Sequence, residues 1–254
     1  MTDAYSKPPV SEVIMGVTLK QPVLGKGGLI FEIISAFKKD YPVIRYGNPL
    51  EDLEMNDYLM EPKIDYNSTG PVLYRLSTVD TNWLVQLQFN KIFFNWIKKD
   101  EERETMYPGF TGIYKKYSRL VSFIQNNLHS EFSVKFCELT YQDRIFWQEH
   151  IDDLSEINKI IKIILPSIRD NDITYSPNNI FSKCTLPVKK IGGYAIVSIN
   201  TATTKENKQV ISFQCTLRGA VKDMLIDNWY EIAREMQIKL FQDSFNEKFL
   251  ESLK

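Results

Sequence analysis

The residue types that most often perform catalysis or bind metals are sparse in this chain and lie far apart. Its 254 residues include two histidines, His129 and His150, and three cysteines, Cys137, Cys184 and Cys215, without a C-x-x-C pair. A zinc site or a nucleophilic triad needs such side chains in a recognisable arrangement, and the sequence offers none. We therefore predict no catalytic residue, no metal ligand and no cofactor.

Carboxylates are the remaining source of acid–base or metal chemistry. Glu138 and Asp143 fall in one predicted strand, but their spacing of five residues places the two side chains on opposite faces. The acidic clusters at 101–104 and 152–153 are typical of a solvated turn and of a helix start. Scattered carboxylates that converge on a metal remain an alternative, and would make the chain a metal-dependent enzyme acting on nucleic acid or nucleotides.

Amide side chains form a pattern that favours binding. Gln86 and Gln88 alternate with apolar residues in one predicted strand, and Asn95 follows in the next. Amides on an exposed sheet face can hydrogen-bond to a protein partner or to the edge of a base. An ordinary hydrated face of an antiparallel sheet gives the same pattern. We name these three residues as candidate binding residues.

The elements that position these residues follow from hydrophobic periodicity. Alternating apolar residues predict strands at 13–19, 73–79, 83–97, 132–146, 181–188, 194–201 and 209–218. Apolar residues at three- and four-residue spacing predict helices at 30–37, 110–128, 152–165 and 225–253. A turn or bulge near Asn90 divides the 83–97 run, and the segment 47–70 is predicted to be a loop.

This order of elements predicts an α+β fold of two halves, each a mostly antiparallel sheet covered by helices, ending in a long C-terminal helix. The predicted domains are 1–150 and 151–254. Each half ends its strands with a long, aromatic-rich helix, which suggests an old duplication. A chain of this length buries a sizeable core without disulfides or metals.

The composition of the chain limits the classes of partner that it is expected to bind. The 31 Lys+Arg and 32 Asp+Glu give a net charge of −1, whereas proteins that bind the phosphate backbone usually carry a basic excess. The sequence shows neither a signal peptide nor an apolar span of membrane length, so we expect a soluble, cytoplasmic protein without membrane contact. The expected partner is another protein, a second copy of the chain included. Nucleic acid is an alternative that the charge does not indicate.

Five segments, in order along the whole chain, are similar to segments of a known protein family. They are Lys7-Pro8-Pro9-x-x-Glu12; Val-Gln-Leu-Gln at 85–88 with Asn95-Trp96; Tyr107-Pro108-x-Phe110; Leu-Thr-Tyr-Gln-Asp-Arg-Ile at 139–145; and Ala233-x-Glu235 with Phe241. Together they resemble a sporadically distributed family of functionally uncharacterised bacterial and archaeal proteins. The resemblance implies genes that travel with mobile elements, defence systems or toxin–antitoxin loci.

The chain departs from this family at two places. The family usually reads Arg-Tyr-x-Asn-Arg-Ile where this chain has Thr-Tyr-Gln-Asp-Arg-Ile at 140–145, and it usually has a histidine at the position of Arg234. No catalytic residue is therefore carried over. Tyr141, Asp143 and Arg144, near the end of a predicted strand, form a candidate functional or fold-fixing cluster.

The leading hypothesis is a non-enzymatic protein-interaction subunit that uses exposed aromatic residues and the polar sheet face. It would be an accessory, sensor or antitoxin-like component of a prokaryotic defence or mobile-element system. One alternative is the metal-dependent enzyme described above. A second alternative is a small-ligand-binding module, with a cavity between a curved sheet and the long C-terminal helix.

Overall fold

A computed structural model describes residues 5, 8–48, 73–99, 106–162, 179–204, 208–221 and 224–254. Within these ranges the strands are β1 (Val10–Leu19), β2 (Val43–Gly47), β3 (Leu73–Ser77), β4 (Trp83–Gln88), β5 (Lys91–Ile97), β6 (Val134–Ile145), β7 (Phe181–Val188), β8 (Gly193–Thr203) and β9 (Gln209–Gly219). The α-helices there are α1 (Leu29–Phe37), α2 (Gly109–Leu128), α3 (Ile226–Ser244) and α4 (Glu247–Ser252). The predicted α+β class is confirmed.

The nine described strands form one antiparallel sheet in the order β2-β3-β4-β5-β1-β6-β9-β8-β7. From the central pair β1 and β6, the sheet runs outward as β5-β4-β3-β2 on one side and as β9-β8-β7 on the other. The strands of the two predicted halves thus belong to one sheet, in which β6 of the first half pairs with β9 of the second. The division into domains 1–150 and 151–254 stays a prediction.

One face of the sheet, here called the helix face, carries the apolar core. Residues directly opposite each other in antiparallel pairs share a face. Met15 of β1 lies opposite Phe94 of β5 and Leu139 of β6, and all three are fully buried. Above them the ring of Tyr117 from α2 lies 6.5 Å from that of Phe94 and 5.2 Å from that of Tyr230 from α3. The alternation in β1 therefore has the expected cause, since its apolar side faces two long helices.

A second apolar cluster lies farther along the helix face. Phe213 of β9 packs its ring 5.8 Å from Phe241 and 5.0 Å from Phe245, and Phe249 of α4 lies 5.1 Å from Phe245. Such edge-on and tilted ring contacts add to the free energy gained from burying the rings. The cluster fixes the C-terminal end of α3 against the sheet.

The predicted helix at 225–253 is wrong as a continuous element. It divides into α3 and α4 because Phe245 takes an extended conformation and forms a β-bridge with Ile161. The Lys162 N–H donates to the carbonyl of Ser244 at 2.8 Å. Periodicity alone does not show this break, because Phe245 continues the apolar stripe while its backbone pairs with another segment.

The predicted helix at 152–165 is also corrected. Residues Leu154–Lys159 form a 3-10 helix, and the residues from 163 onward lie outside the described ranges. Asp153 caps the element as the sequence indicates, since its carboxylate accepts a hydrogen bond from the Ser155 N–H at 2.8 Å. The short edge strand β2 was not predicted, because only five residues form it and none of them is buried.

Most of the predicted loop at 47–70 and the acidic cluster at 101–104 lie outside the described residues. Among the helices that the structure describes, none has both the length and the apolar character needed to cross a membrane. The expected cytoplasmic location stays a prediction.

Candidate functional site

The predicted binding amides lie on the face opposite the helix face, here called the polar face. Gln86, Gln88 and Asn95 are only 9%, 3% and 3% exposed to solvent. The expectation that they form an exposed surface is therefore wrong. Alternation predicts which face a side chain takes, but it does not predict how far its neighbours cover it.

Hydrogen bonds link two of these amides, Gln86 and Asn95, across four strands. The Arg75 Nε donates to Gln86 Oε1 at 3.1 Å, and Gln86 Nε2 donates to Asn95 Oδ1 at 3.1 Å. Asn95 Nδ2 then donates to Glu12 Oε1 at 2.8 Å. Because Gln86 and Asn95 each donate and accept, the relay satisfies both amides within the chain, and Gln86 and Asn95 act first as structural residues. Their role in binding stays a prediction.

The other half of the polar face holds a buried ion pair. Arg218 donates from Nε and Nη2 to Glu138 Oε2, the Nε bond being 2.7 Å long, and from Nη1 to the Tyr194 hydroxyl at 3.3 Å. Burial lowers the pKa of the Arg218 guanidinium, but the charges and hydrogen bonds of Glu138 and Tyr194 together outweigh burial and raise the pKa. Beside this pair the hydroxyls of Thr140 and Thr216 lie 2.8 Å apart.

The predicted cluster of Tyr141, Asp143 and Arg144 is divided by the sheet. Tyr141 and Asp143 lie on the helix face and are each 3% exposed. Arg144 points to the polar face, opposite Ser212 of β9, and is half-buried. The structure brings two of the three residues together, since neighbours in a strand alternate between faces.

Tyr141 and Asp143 line a cavity between β6 and α3, here called the polar cavity. It encloses about 60 Å³, is partly open, and has room for about four water molecules. Its walls come from the N-terminal segment, from the segment that precedes α2, and from β6 and α3. The lining residues are Tyr5, Pro8, Pro9, Val10, Tyr107, Tyr141, Asp143, Arg234, Gln237, Ile238 and Phe241.

The Asp143 carboxyl is the unusual group of the polar cavity. Burial raises its pKa to about 7, and the Arg234 guanidinium lowers it only in part. Among the described residues, no side chain donates a hydrogen bond to this carboxyl. A buried carboxyl in such surroundings is close to half-ionised near neutral pH, and its protonation state therefore responds to any charge that enters the cavity.

Tyr141 is fixed in place by its own partners. Its hydroxyl lies 3.0 Å from the Tyr107 hydroxyl and accepts a hydrogen bond from Arg234 Nη1 at 3.0 Å. The Arg234 guanidinium also lies over the rings of Tyr141 and Phe110, 5.4 Å from each centroid. The cation is therefore held by rings and a hydroxyl rather than by the Asp143 carboxylate.

Gln237 supplies a second buried acceptor. It is 3% exposed, and its Oε1 has no hydrogen-bond partner. Its amide group instead hydrogen-bonds to the Cys215 thiol, whose pKa burial raises to about 12. The polar cavity thus contains two buried oxygen acceptors, on Asp143 and Gln237, for which the described residues provide no donor.

The sequence interpretation missed Gln237 and gave Arg234 no role. A usable signal was present, because Trp229, Ala233, Gln237 and Phe241 form a stripe at four-residue spacing on α3. An amide within an otherwise apolar stripe marks a buried polar site. A lone carboxyl beside a guanidinium can bind a polar group or transfer a proton, but the described residues hold no group of three metal-binding side chains.

Comparison with known proteins adds no identification. The chain matches no protein-family model, and no curated protein matches it. The resemblance to the uncharacterised bacterial and archaeal family stays a prediction.

Proposed function

We propose that the chain is a non-enzymatic binding protein and that its ligand occupies the polar cavity. The observation that supports this most directly is a pair of oxygen acceptors on the cavity wall: Gln237 Oε1, which is buried without a hydrogen-bond partner, and the carboxyl of Asp143, a residue that is 3% exposed. A buried polar group without a partner costs about 1–3 kcal/mol. A ligand that supplies both donors would recover this free energy.

The location of the polar cavity agrees with a binding role. Its walls come from the segment before β1, from Tyr107 and from the pair β6 and α3, so both predicted halves contribute. Ligand sites often lie where two structural units meet.

The test is an NMR titration of the ¹⁵N-labelled protein with four small probes: ethylammonium, guanidinium, acetate and acetamide. We expect one chemical class to shift amide signals of β6 and α3 saturably. The affinity of so small a ligand is about millimolar, given the limited free energy that each atom contributes.

Two variants on adjacent positions of α3 show whether the binding is in the cavity. Ile238→Phe adds a ring to the cavity wall and should abolish binding, whereas Lys239→Phe adds the same ring to an exposed position and should not. Failure of every probe to bind, or equal binding by Ile238→Phe, contradicts the proposed function.

A second candidate function, self-association, is favoured by a different observation. Phe31 and Tyr46 are 64% and 70% exposed, and their rings contact Tyr74 at 6.0 Å and 5.4 Å. Tyr46 belongs to β2, the strand that ends the described sheet, and Phe31 lies on α1. An edge strand with exposed rings can pair with the same strand of a second copy about a two-fold axis. This is the form of the predicted protein interaction that the structure supports best.

Sedimentation equilibrium tests the second candidate. We expect a dimer for the wild type and a monomer for Tyr46→Lys, because charge on an edge strand opposes pairing. Leu186→Lys, on the opposite edge strand β7, is the matched control and should remain dimeric. A wild-type monomer rejects this candidate without affecting the polar cavity.

The cellular context stays a proposal drawn from the resemblance alone. It places the chain as an accessory, sensor or antitoxin-like component of a defence or mobile-element system. A binding protein with a small polar cavity suits a sensor best among these three. Purification of the chain from cells that carry its neighbouring genes, with identification of what co-purifies, tests this placement.

A further inference from the structure

The two acceptors of the polar cavity restrict the chemistry of its ligand. The Asp143 carboxyl and Gln237 Oε1 belong to residues that are each 3% exposed, and both residues line the same cavity. Oxygen acceptors in that position need N–H or O–H donors rather than further acceptors. We propose, on the basis of the proposed function, that the ligand is a small organic cation whose primary ammonium or guanidinium group donates to both oxygens.

The walls of the polar cavity also suit a cation. The rings of Tyr5, Tyr107 and Phe241 line the same cavity as the two acceptors, and aromatic rings attract ammonium and guanidinium groups. An anion would have to enter beside the Asp143 carboxylate, and the one cation on the walls, Arg234, is already bound to the Tyr141 hydroxyl. A neutral amide can satisfy the hydrogen bonds, but it gains nothing from the carboxylate charge or from the rings.

Arg234 is the one positive charge on the walls and opposes a cationic ligand. Its guanidinium is bound to the Tyr141 hydroxyl and lies over the Tyr141 and Phe110 rings. Burial nevertheless outweighs Arg234 in setting the ionisation of Asp143, whose pKa is raised rather than lowered. The carboxylate is thus under-compensated, and a second cation would complete its neutralisation.

The size of the polar cavity limits the part of the ligand that is buried. A volume of about 60 Å³ accepts a head group of a few atoms, and the partly open side lets a chain extend outward. A free small amine and the end of a lysine or arginine side chain of a protein partner share this chemistry. The experiment separates the two sources.

Binding of the cation is coupled to ionisation of Asp143. The groups that face this carboxyl are the Arg234 guanidinium and the Cys215 thiol, and the thiol stays protonated below about pH 12. A cationic ligand binds the ionised carboxyl, whose pKa is about 7 in the free protein. Affinity should therefore rise from pH 6 to pH 8 and level off above pH 8.

The experiment measures dissociation constants at pH 8 with the four probes named above. Ethylammonium and guanidinium should bind the wild type at least tenfold more tightly than acetate or acetamide. Asp143→Asn keeps the shape but removes the charge, and should weaken cation binding about tenfold or more. Gln237→Met removes the second acceptor and should weaken it about fivefold. Thermal unfolding of both variants confirms that they fold.

The possible outcomes distinguish the proposed function from the inference about the cation. Cation binding that Asp143→Asn weakens supports the inference. Saturable binding of acetate or acetamide instead, abolished by Ile238→Phe, overturns the inference and leaves the proposed function standing. No binding by any probe overturns both. Affinity for cations that does not change between pH 6 and pH 8 also overturns the inference, because it excludes the Asp143 carboxyl as the partner.

A final comparison identifies the source of the cation. Nα-acetyl-lysine-amide and n-butylammonium carry the same head group, but only the first carries peptide groups. Tighter binding of the lysine derivative supports the inference with a protein side chain as the natural ligand. Equal or weaker binding supports it with a free small amine.

Discussion

Two groups of buried polar residues lie on opposite faces of the same sheet and differ in how their hydrogen bonds are satisfied. On the polar face, Gln86 and Asn95 each donate and accept within the relay from Arg75 to Glu12. In the polar cavity, the Asp143 carboxyl and Gln237 Oε1 have no donor among the described residues. The first group is hydrogen-bonded within the chain, whereas the second leaves two acceptors without donors among the described residues.

This difference distinguishes polar groups that stabilise the fold from polar groups that are available to a ligand. Buried polar groups are nearly always hydrogen-bonded, so a satisfied network stabilises one arrangement and needs no ligand. Unsatisfied acceptors reduce stability and are kept where they contribute to function. The comparison predicts that substitutions on the polar face destabilise the fold, whereas removal of the Asp143 charge stabilises it.

The largest loss of stability is expected for Arg218→Met, which leaves the buried Glu138 carboxylate without its partner. Removing one member of a buried ion pair costs about 3–5 kcal/mol, because the remaining charge stays desolvated. Urea unfolding at pH 7 measures the change. A loss below 1 kcal/mol would show that this ion pair is solvated and that the polar face is not a buried network.

Asp143→Asn should have an effect of similar size and opposite sign. The Asp143 pKa of about 7 lies above its ordinary value of 3.8, so the folded state favours the neutral carboxyl. The resulting stability is present below pH 4 and is lost as the pH rises to 7. At pH 8 the variant should be more stable than the wild type by about 4 kcal/mol, and at pH 4 the two should be equal.

Urea unfolding of both proteins at pH 4, 6 and 8 measures this difference. Cys215→Ala serves as a control, since it changes a buried neighbour of Asp143 without a group that titrates in this range. A variant that is less stable than the wild type at pH 8 would mean that the carboxylate has a donor and that the two polar regions are alike.

Asn95→Ala should cost about 2 kcal/mol, because it leaves a donor on Gln86 and an acceptor on Glu12 without partners. Asn127→Ala is the matched control, since Asn127 is exposed and donates only to the Phe123 carbonyl of its own helix. Equal stability of the two variants in thermal unfolding would reject the relay as a source of stability.

The smallest effect is expected for Asp40→Asn, which removes the exposed ion pair with Arg119. Exposed pairs contribute about 0–1 kcal/mol, and salt weakens them further. The stability loss should disappear in 1 M NaCl, whereas that of Arg218→Met should persist. A salt-independent loss at Asp40 would remove the contrast between exposed and buried charges.

Much of the fold follows from periodicity in the sequence. The alternation of apolar residues in β1 and the four-residue stripe of α2 predict those elements to within three residues. The turn that divides 83–97 is found between β4 and β5. These signals are local, since each depends on one element presenting one face to the core.

The rest depends on contacts between distant segments. The break at Phe245 results from its pairing with Ile161, and no local signal marks it. Gln86 and Asn95 appear in the sequence as surface amides, because no local pattern shows that they are buried. For the site, the sequence places Tyr141 and Asp143 together but not Gln237, which comes from a helix almost a hundred residues later.

The pKa of the Asp143 carboxyl group tests most directly whether this group lacks a donor and can bind a cation. A ¹³C-detected pH titration of the Asp143 carboxyl carbon, with Asp143→Asn used to assign its signal, reports the pKa in the folded protein. The account predicts a pKa of about 7 in the free protein and a lower value when ethylammonium is added in excess. A pKa near the ordinary 3.8 that ethylammonium does not change would contradict it.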